Sequence, residues 1–376
     1  MTSTTPEASD QPDQPDQRDQ PDRPEQRDRS ERSDRPLLTT RVGPAYTRIW
    51  GMGDHRPERV VPNAEIVGDI DSSDEWIRDR SGIAARRQAG PQESVADMAT
   101  QAGRAALAAA GVEADRLGAV IVATLTHPYQ TPAAATLVAS ELGAGAAAAF
   151  DLSAACSGFC YGVNVADEMV RGGSSEFVLV VGVEKMSDFR DPHDRGTAFI
   201  FGDGAGAAVI GPSETPGIGP TVWGADGSGF DLIKQSTDWV SFRRALDDPD
   251  STPQDRRWPF IDMVGPSVFR WAAYKMVHVA REAVAAAGLT VADIDVFVPH
   301  QANIRIIDAI TKQMKFGEHV VVAREDVADM ANTSAASVPL AVTRLLREGK
   351  AKSGDICLQF GFGAGLTWAA QVVVLP

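Results

Sequence analysis

Arg104-Ala-Ala-Leu-Ala-Ala-Ala-Gly111, followed by a strand-like run ending at Ala123, has a counterpart in Arg281-Glu-Ala-Val-Ala-Ala-Ala-Gly288, followed by a run reaching His300. Both pairs of landmarks stand 177 residues apart (281 minus 104, and 300 minus 123). A second match lies further on. Cys156 heads a helical run ending Met169-Val-Arg-Gly-Gly173, and Asn332, 176 positions later, heads one ending Leu345-Leu-Arg-Glu-Gly349. Both runs lead into apolar strands. Two matches at nearly one spacing predict a duplicated architecture rather than a chance pair of alanine-rich helices.

Outward from these landmarks, strands alternate with helices. Ser94 and Asp97 have the spacing of a capping box, which predicts a helix from there to Gly111. Gly118-Ala-Val-Ile-Val-Ala-Thr124, Phe177–Val183 and Asp295–Pro299 read as buried strands. The alternation places the chain in the α/β class. If the halves pack about a pseudo-twofold axis, Cys156 and Asn332 begin equivalent helices and face one centre. His300 closes a neighbouring strand, where ligands of α/β sheets gather.

These three residue types suggest a chemistry. Cys156 lies where an apolar strand passes into a helix, and the positive end of a helix favours thiolate. Ala154, Ala155, Ser157 and Gly158 leave room beside it. A cysteine so placed is also an ordinary small packing residue, the role assigned to Cys160 and Cys357. His300 is followed by Gln301, Asn303 and Arg305, a polar cluster denser than a core position tolerates. Asn332 suits a helix cap as well as a catalytic role. Cys, His and Asn together fit a cysteine hydrolase. Two uncharged N–H donors beside a thiol fit decarboxylative condensation better, because they can hold the enolate of a malonyl thioester while its carbon attacks an acyl group on sulfur.

Composition narrows the field. The 376 residues are 43% hydrophobic and 23% charged, as in ordinary globular chains, with a formal charge of −15. That balance argues against a nucleic-acid partner. Neither a membrane span nor a secretory signal is expected. Three cysteines make no disulfide framework and no zinc spacing, so a reducing cytoplasm and no bound metal are expected. Residues 1–36 lack Val, Ile, Leu and aromatics, and ten acids there outnumber six arginines. Disorder is expected for this tail.

Several motifs carry a family resemblance: Ser73-Asp-Glu-Trp-Ile77 with Arg80-Ser-Gly-Ile83; Ala155-Cys-Ser-Gly-Phe159; Asp194-Arg-Gly-Thr197; Phe201-Gly-Asp-Gly-Ala-Gly-Ala207; His300-Gln-Ala-Asn303; and Asn332-Thr-Ser-Ala-Ala-Ser337. From about Tyr46 to Pro376 the chain resembles 3-oxoacyl-(acyl-carrier-protein) synthase III, the initiating condensing enzyme of type II fatty-acid synthesis. The resemblance implies a homodimeric thiolase fold of five αβαβα layers, with halves at 46–212 and 218–376. It implies a Cys156–His300–Asn332 triad, acyl-CoA as primer donor and malonyl-acyl-carrier protein as extender, with no permanently bound cofactor. Trp76 and Arg195 would hold the adenine, Arg80 the phosphates, and Asn303 the donor arm. The amides of Cys156 and Ala364 would form the oxyanion hole, with Phe362 over the sulfur. Arg270, Arg305 and Lys312 would receive the acidic carrier protein, although an ordinary solvated face carries such residues too.

Departures from the family pattern fall at Ala364 and Ala331, where relatives often have glycine, and at Thr131, where some have phenylalanine at the tip facing the partner's acyl pocket. The smaller Thr131 suggests longer or branched primers. Other readings are a polyketide-priming ketosynthase or acyltransferase of the same fold, and a non-catalytic binding module. Gly202-Asp-Gly-Ala-Gly206 invites a dinucleotide site but lacks the third Rossmann glycine and the P-loop Gly-Lys-Ser/Thr.

Overall fold

The computed structural model describes residues 1–2 and 38–376, so the tail read from residues 1–36 lies outside the described residues but for Met1 and Thr2. Residues 41–376 pack as one unit. Its first part runs β1 (Tyr46–His55), β2 (Arg59–Pro62), α1 (Asp74–Ser81), β3 (Ala85–Gln88), α2 (Val95–Ala110), β4 (Leu117–Ala123), α3 (Ala134–Leu142), β5 (Ala148–Leu152), α4 (Gly158–Arg171), β6 (Phe177–Lys185) and β7 (Asp203–Ser213). The second runs β8 (Val222–Ala225), β9 (Ile233–Gln235), α5 (Trp239–Asp247), β10 (Ile261–Met263), α6 (Gly265–Ala286), β11 (Val296–Pro299), α7 (Ile304–Met314), β12 (Val321–Val322), α8 (Glu325–Asp329), α9 (Ser337–Arg347), β13 (Ile356–Gly363) and β14 (Thr367–Val374).

Two five-stranded sheets have the same plan. The first is ordered β1-β7-β6-β4-β5 and the second β8-β14-β13-β11-β12. In each, the three strands at one side are parallel and the remaining two join antiparallel. The duplication expected from the two spacings is therefore present strand for strand. Local signals explain the elements. Ser94 and Asp97 close a reciprocal capping box on α2, and Gly111 ends the helix at φ +63°. All nine residues of β6 are buried, which suits an apolar run covered on both faces.

The apolar clusters define five layers. α2 and α3 cover the outer face of the first sheet. α6 and α7 cover the outer face of the second. Between the sheets lie α4 and α9, packed against both through Phe159, Val163, Val338 and Leu345. These two central helices are the ones opened by the Cys156 and Asn332 turns. Layering thus brings both turns to the interior seam.

Candidate active site

The sheets meet at a reciprocal close approach. A Cβ added to Gly182 of β6 would lie 2.3 Å from the carbonyl oxygen of Ala335, which belongs to the Asn332 turn. One added to Gly361 of β13 would lie 2.5 Å from the carbonyl oxygen of Cys156. Each sheet therefore admits the other half's turn only because a glycine stands there. The alanines preceding the two polar residues share a left-handed backbone, φ +46° at Ala155 and +57° at Ala331. This conformation costs a non-glycine residue about 1–3 kcal/mol, and such strain concentrates at functional sites.

A cavity of about 220 Å³ opens at this seam, lined by Cys156, His300, Asn332, Phe362, Gly363 and Ala364. The three residues singled out from the sequence thus share one wall-to-wall pocket. Its farther lining is apolar, with Leu125, Met186, Phe201, Ile261 and Ile306 among the contributors.

Each polar group is held in a defined orientation. The backbone of Asn332 donates to the Ile200 carbonyl (2.9 Å) and accepts from the Gly202 amide (3.0 Å), which ties it to the first half. Its side-chain oxygen accepts from the Ser334 amide (2.8 Å), so its NH2 is the end left for the pocket. His300 continues the β11 ladder, its amide donating to the Phe360 carbonyl (2.8 Å). Its Nδ1 lies 2.6 Å from Ser337 Oγ, and its ring stands edge-on to Phe362 with centroids 5.2 Å apart. Burial pushes the imidazole down to about 3, so it is neutral near pH 7. Gln301 is buried and serves the loop, donating to the carbonyls of Pro299 and Ala323.

The expectation of a thiolate at Cys156 is corrected. Burial pushes the thiol up to about 12, and the nearby Glu184 charge adds to the effect. The Ser334 hydroxyl and the cysteine's own amide offset only part of it. The resting sulfur is a thiol, because desolvation outweighs the favourable end of α4.

The remaining expected site residues fall into three places. Trp76 is half-buried, and the exposed Arg80 and Arg195 both cover its ring, with guanidinium carbons 5.3 Å and 4.9 Å from the centroid. Arg195 lies too close to admit a purine without moving. Asn303 caps α7 by accepting from the Arg305 amide (2.8 Å), and it donates to the Arg80 carbonyl (3.0 Å). It also lines the cavity, linking the Trp76 cluster to the interior. Arg270 on α6 and Arg305 and Lys312 on α7 are all exposed on packed neighbouring helices. Thr131 is exposed between β4 and α3 and is not part of the cavity lining. Ala364 keeps a negative φ, so alanine fits where glycine was the alternative. The Gly202–Gly206 run enters buried strand β7 rather than a strand-to-helix phosphate loop, so the dinucleotide reading lapses. Among the described residues no cluster of metal-ligating side chains occurs, and no helix is long and apolar enough to cross a membrane.

Residues that sequence reasoning passed over are Glu184, Ser334 and Ser337. The two serines sit inside a quoted motif, but the motif shows no partner for either. Glu184 looks like the polar end of a strand.

Comparison with known proteins bears on the same pocket. Residues 150–227 match the family 3-oxoacyl-(acyl-carrier-protein) synthase III, and residues 284–375 match its C-terminal counterpart. The two segments carry the Cys156 turn and the His300 and Asn332 residues respectively. A beta-ketoacyl-(acyl-carrier-protein) synthase III of Streptomyces coelicolor is 55% identical over 338 residues, covering 89% of this chain and 98% of that protein. The crystal structure of a priming beta-ketosynthase from a polyketide pathway is 46% identical with TM-score 0.85, covering 91% of this chain and 99% of that one. The Aquifex aeolicus synthase III structure is 38% identical with TM-score 0.78, covering 87% and 99%. A duplicated five-layer fold, a thiol facing two neutral donors, and identity above half along nearly the whole relative place this chain in the beta-ketoacyl-(acyl-carrier-protein) synthase III family of thiolase-fold condensing enzymes.

Proposed function

We propose that this chain catalyses the decarboxylative condensation of an acyl-CoA primer with malonyl-acyl-carrier protein, giving 3-oxoacyl-carrier protein, coenzyme A and carbon dioxide, and so initiates type II fatty-acid synthesis. The observation that carries the reading is a cysteine facing two uncharged hydrogen-bond donors in one apolar cavity.

In loading, Cys156 attacks the primer thioester while the amides of Cys156 and Ala364 receive the developing oxyanion. Backbone passing at Gly363, next to the Cys156 amide, suits that pairing. In condensation, Asn332 Nδ2 and His300 Nε2 donate to the malonyl thioester oxygen. Donation from Nε2 requires the tautomer in which Nδ1 accepts, and the Ser337 hydroxyl, 2.6 Å from Nδ1, is placed to donate to it. Both donors stabilise the enolate as carbon dioxide leaves, and the enolate carbon attacks the acyl group on sulfur. An imidazole that stays neutral can donate without bringing a positive charge into an apolar site.

The nucleotide end of coenzyme A would bind at Trp76, Arg195 and Arg80, with Asn303 aligning the arm that leads inward. Arg270, Arg305 and Lys312 would meet the acidic carrier protein. A cytoplasmic homodimer is the assembly proposed, with Thr131 at the tip reaching the partner's pocket and leaving space for branched primers. A priming role in polyketide assembly is the second reading, favoured by the 0.85 TM-score with the priming ketosynthase.

Intact-mass analysis after incubation with a panel of acyl-CoAs, with and without malonyl-carrier protein, tests the proposal. The wild type is expected to gain one acyl group and lose it as product when malonyl-carrier is added, whereas Cys156→Ala gains none. Adduct loss to water alone would replace the condensing reading with a hydrolase.

A further inference from the structure

Glu184, the penultimate residue of β6, has no exposed surface, and no cationic side chain among the described residues pairs with it. Four donors converge on its carboxyl: Thr126 Oγ1 (2.7 Å), the Leu125 amide (3.1 Å) and Thr124 Oγ1 (3.2 Å) on Oε2, and Ser334 Oγ (2.9 Å) on Oε1. A lone buried carboxyl is costly to keep, and nothing in the condensing steps above uses it. Its placement is informative. Ser334, from the opposite half, hydrogen-bonds Glu184 and lines the same cavity as Cys156, whose thiol its hydroxyl helps to lower. A hydroxyl has one proton to give. With that proton directed at Glu184, the Ser334 oxygen is free to accept from the thiol; turned to the sulfur, the same hydroxyl donates to a thiolate. One hydroxyl can thus pass a proton in either direction between sulfur and carboxylate.

We propose that Glu184 receives the Cys156 proton through Ser334 during acyl loading, holds it while the acyl group occupies the sulfur, and returns it when condensation frees the thiolate. The proposal rests on the reading of Cys156 as the acylated nucleophile. In loading, the S–H bond breaks and its electron pair forms the bond to the acyl carbon. The thiol proton passes to Ser334 Oγ as the serine's own proton passes to Glu184. The donor's C–S bond breaks, and the departing coenzyme A thiolate takes a proton from water. In condensation, the electron pair released with carbon dioxide forms the new C–C bond. The acyl–Cys156 bond then breaks, and the thiolate recovers the stored proton along the same line. Across both half-reactions one solvent proton is consumed, and it ends on coenzyme A.

The surroundings suit a proton that must go both ways. Burial raises the Glu184 carboxyl to about 7, with its four donors opposing the shift. That value lies near the working pH, where a group can both accept and release. Lys185, next along the strand, turns away and donates to the Gly90 carbonyl, with Asp188 beside it. The adjoining strand offers Gly204, the loop after β4 offers Thr124 and Thr126, and the opposing turn offers Ser334. Cys156 is the titratable group set against Glu184, and His300 occupies the cavity wall with Asn332.

The test exploits two effects of opposite sign. The Glu184 charge raises the thiol, so Glu184→Gln should shift the pH midpoint of iodoacetamide alkylation downward, making the sulfur more reactive toward a small alkylator. As a relay acceptor, the same residue should be missed in loading, so single-turnover acylation followed by intact mass should slow at least about tenfold near pH 7. The wild-type loading rate should fall as pH drops through about 7, because a protonated Glu184 cannot accept, and that inflection should vanish in Glu184→Gln. Ser334→Ala breaks the line without removing the carboxylate, and it should slow loading with no downward shift of the alkylation midpoint. Loading at the wild-type rate with the inflection retained in Glu184→Gln would overturn the relay. So would alkylation and loading falling together in Glu184→Gln while Ser334→Ala loads normally, since that pattern belongs to structural damage. A wild type that takes no acyl adduct on Cys156 would instead remove the nucleophile reading on which the relay stands.

Discussion

In the first half, the strand β4 ends at Ala123 and the central-layer turn carries Cys156; in the second, the equivalent strand leads to His300 and the equivalent turn carries Asn332. The frames match, but the two side chains are not at the same place on them. Ala155 and Ser334 open the two turns in the left-handed region, and Gly361 and Gly182 receive the carbonyls of Cys156 and Ala335, so Asn332 stands three residues ahead of the position matching Cys156, on a bridge to Phe201. What differs is the chemistry mounted on a common frame. On the proposed mechanism, one half supplies the group that forms a covalent bond, and the other supplies the groups that steady a transient charge. Duplication would then give two related mounts, and the reaction needs one of each.

Substitutions at the paired glycines probe this division hardest. Gly361→Ala forces a methyl against the Cys156 carbonyl, and Gly182→Ala forces one against the Ala335 carbonyl. Overpacking of this kind costs about 1–3 kcal/mol, so both proteins should melt at lower temperature. Their defects should part: Gly361→Ala is expected to load no detectable acyl group, while Gly182→Ala still loads but condenses poorly. Equal loss of loading in both would show that the seam has no division of labour.

A smaller effect is expected from Asn332→Ala. Loading should remain near wild type, while condensation falls by about 10²–10³, the usual loss for one donor to a developing oxyanion. Mass spectrometry should then find the acyl-enzyme persisting in the presence of malonyl-carrier protein. Condensation at the wild-type rate would remove Asn332 from the second half's task.

Ser337→Ala should be milder still, roughly tenfold in condensation, since the imidazole remains but loses the partner that fixes its proton. Loading should be untouched. Because His300 stays neutral down to about pH 3, condensation by preloaded enzyme should show no histidine inflection across about pH 5 to 8. A requirement for imidazolium would instead make that rate fall as pH rises.

The duplication was legible because both copies keep the same punctuation: an alanine-rich helix stopped by a left-handed glycine, then an apolar strand. Cys156, His300 and Asn332 stood out as reactive residue types at matching landmarks. Glu184 did not, since the apolar run Phe177–Val183 followed by Glu184-Lys185 reads as a strand emerging into water. Only the fold shows that the carboxyl turns inward while the ammonium turns away. The protonated thiol was equally hidden. A local helix terminus can be read from a sequence, whereas desolvation is a property of the assembled layers.

Arg195 resting on Trp76 has a kinetic consequence. If that slot takes the nucleotide end of coenzyme A, as proposed above, the nucleotide must first displace a resident cation, so its apparent affinity is discounted by the fraction of time the latch stands open. That discount falls equally on every thioester, whatever acyl chain it carries. The latch can therefore set how much donor the protein demands without influencing which donor it prefers.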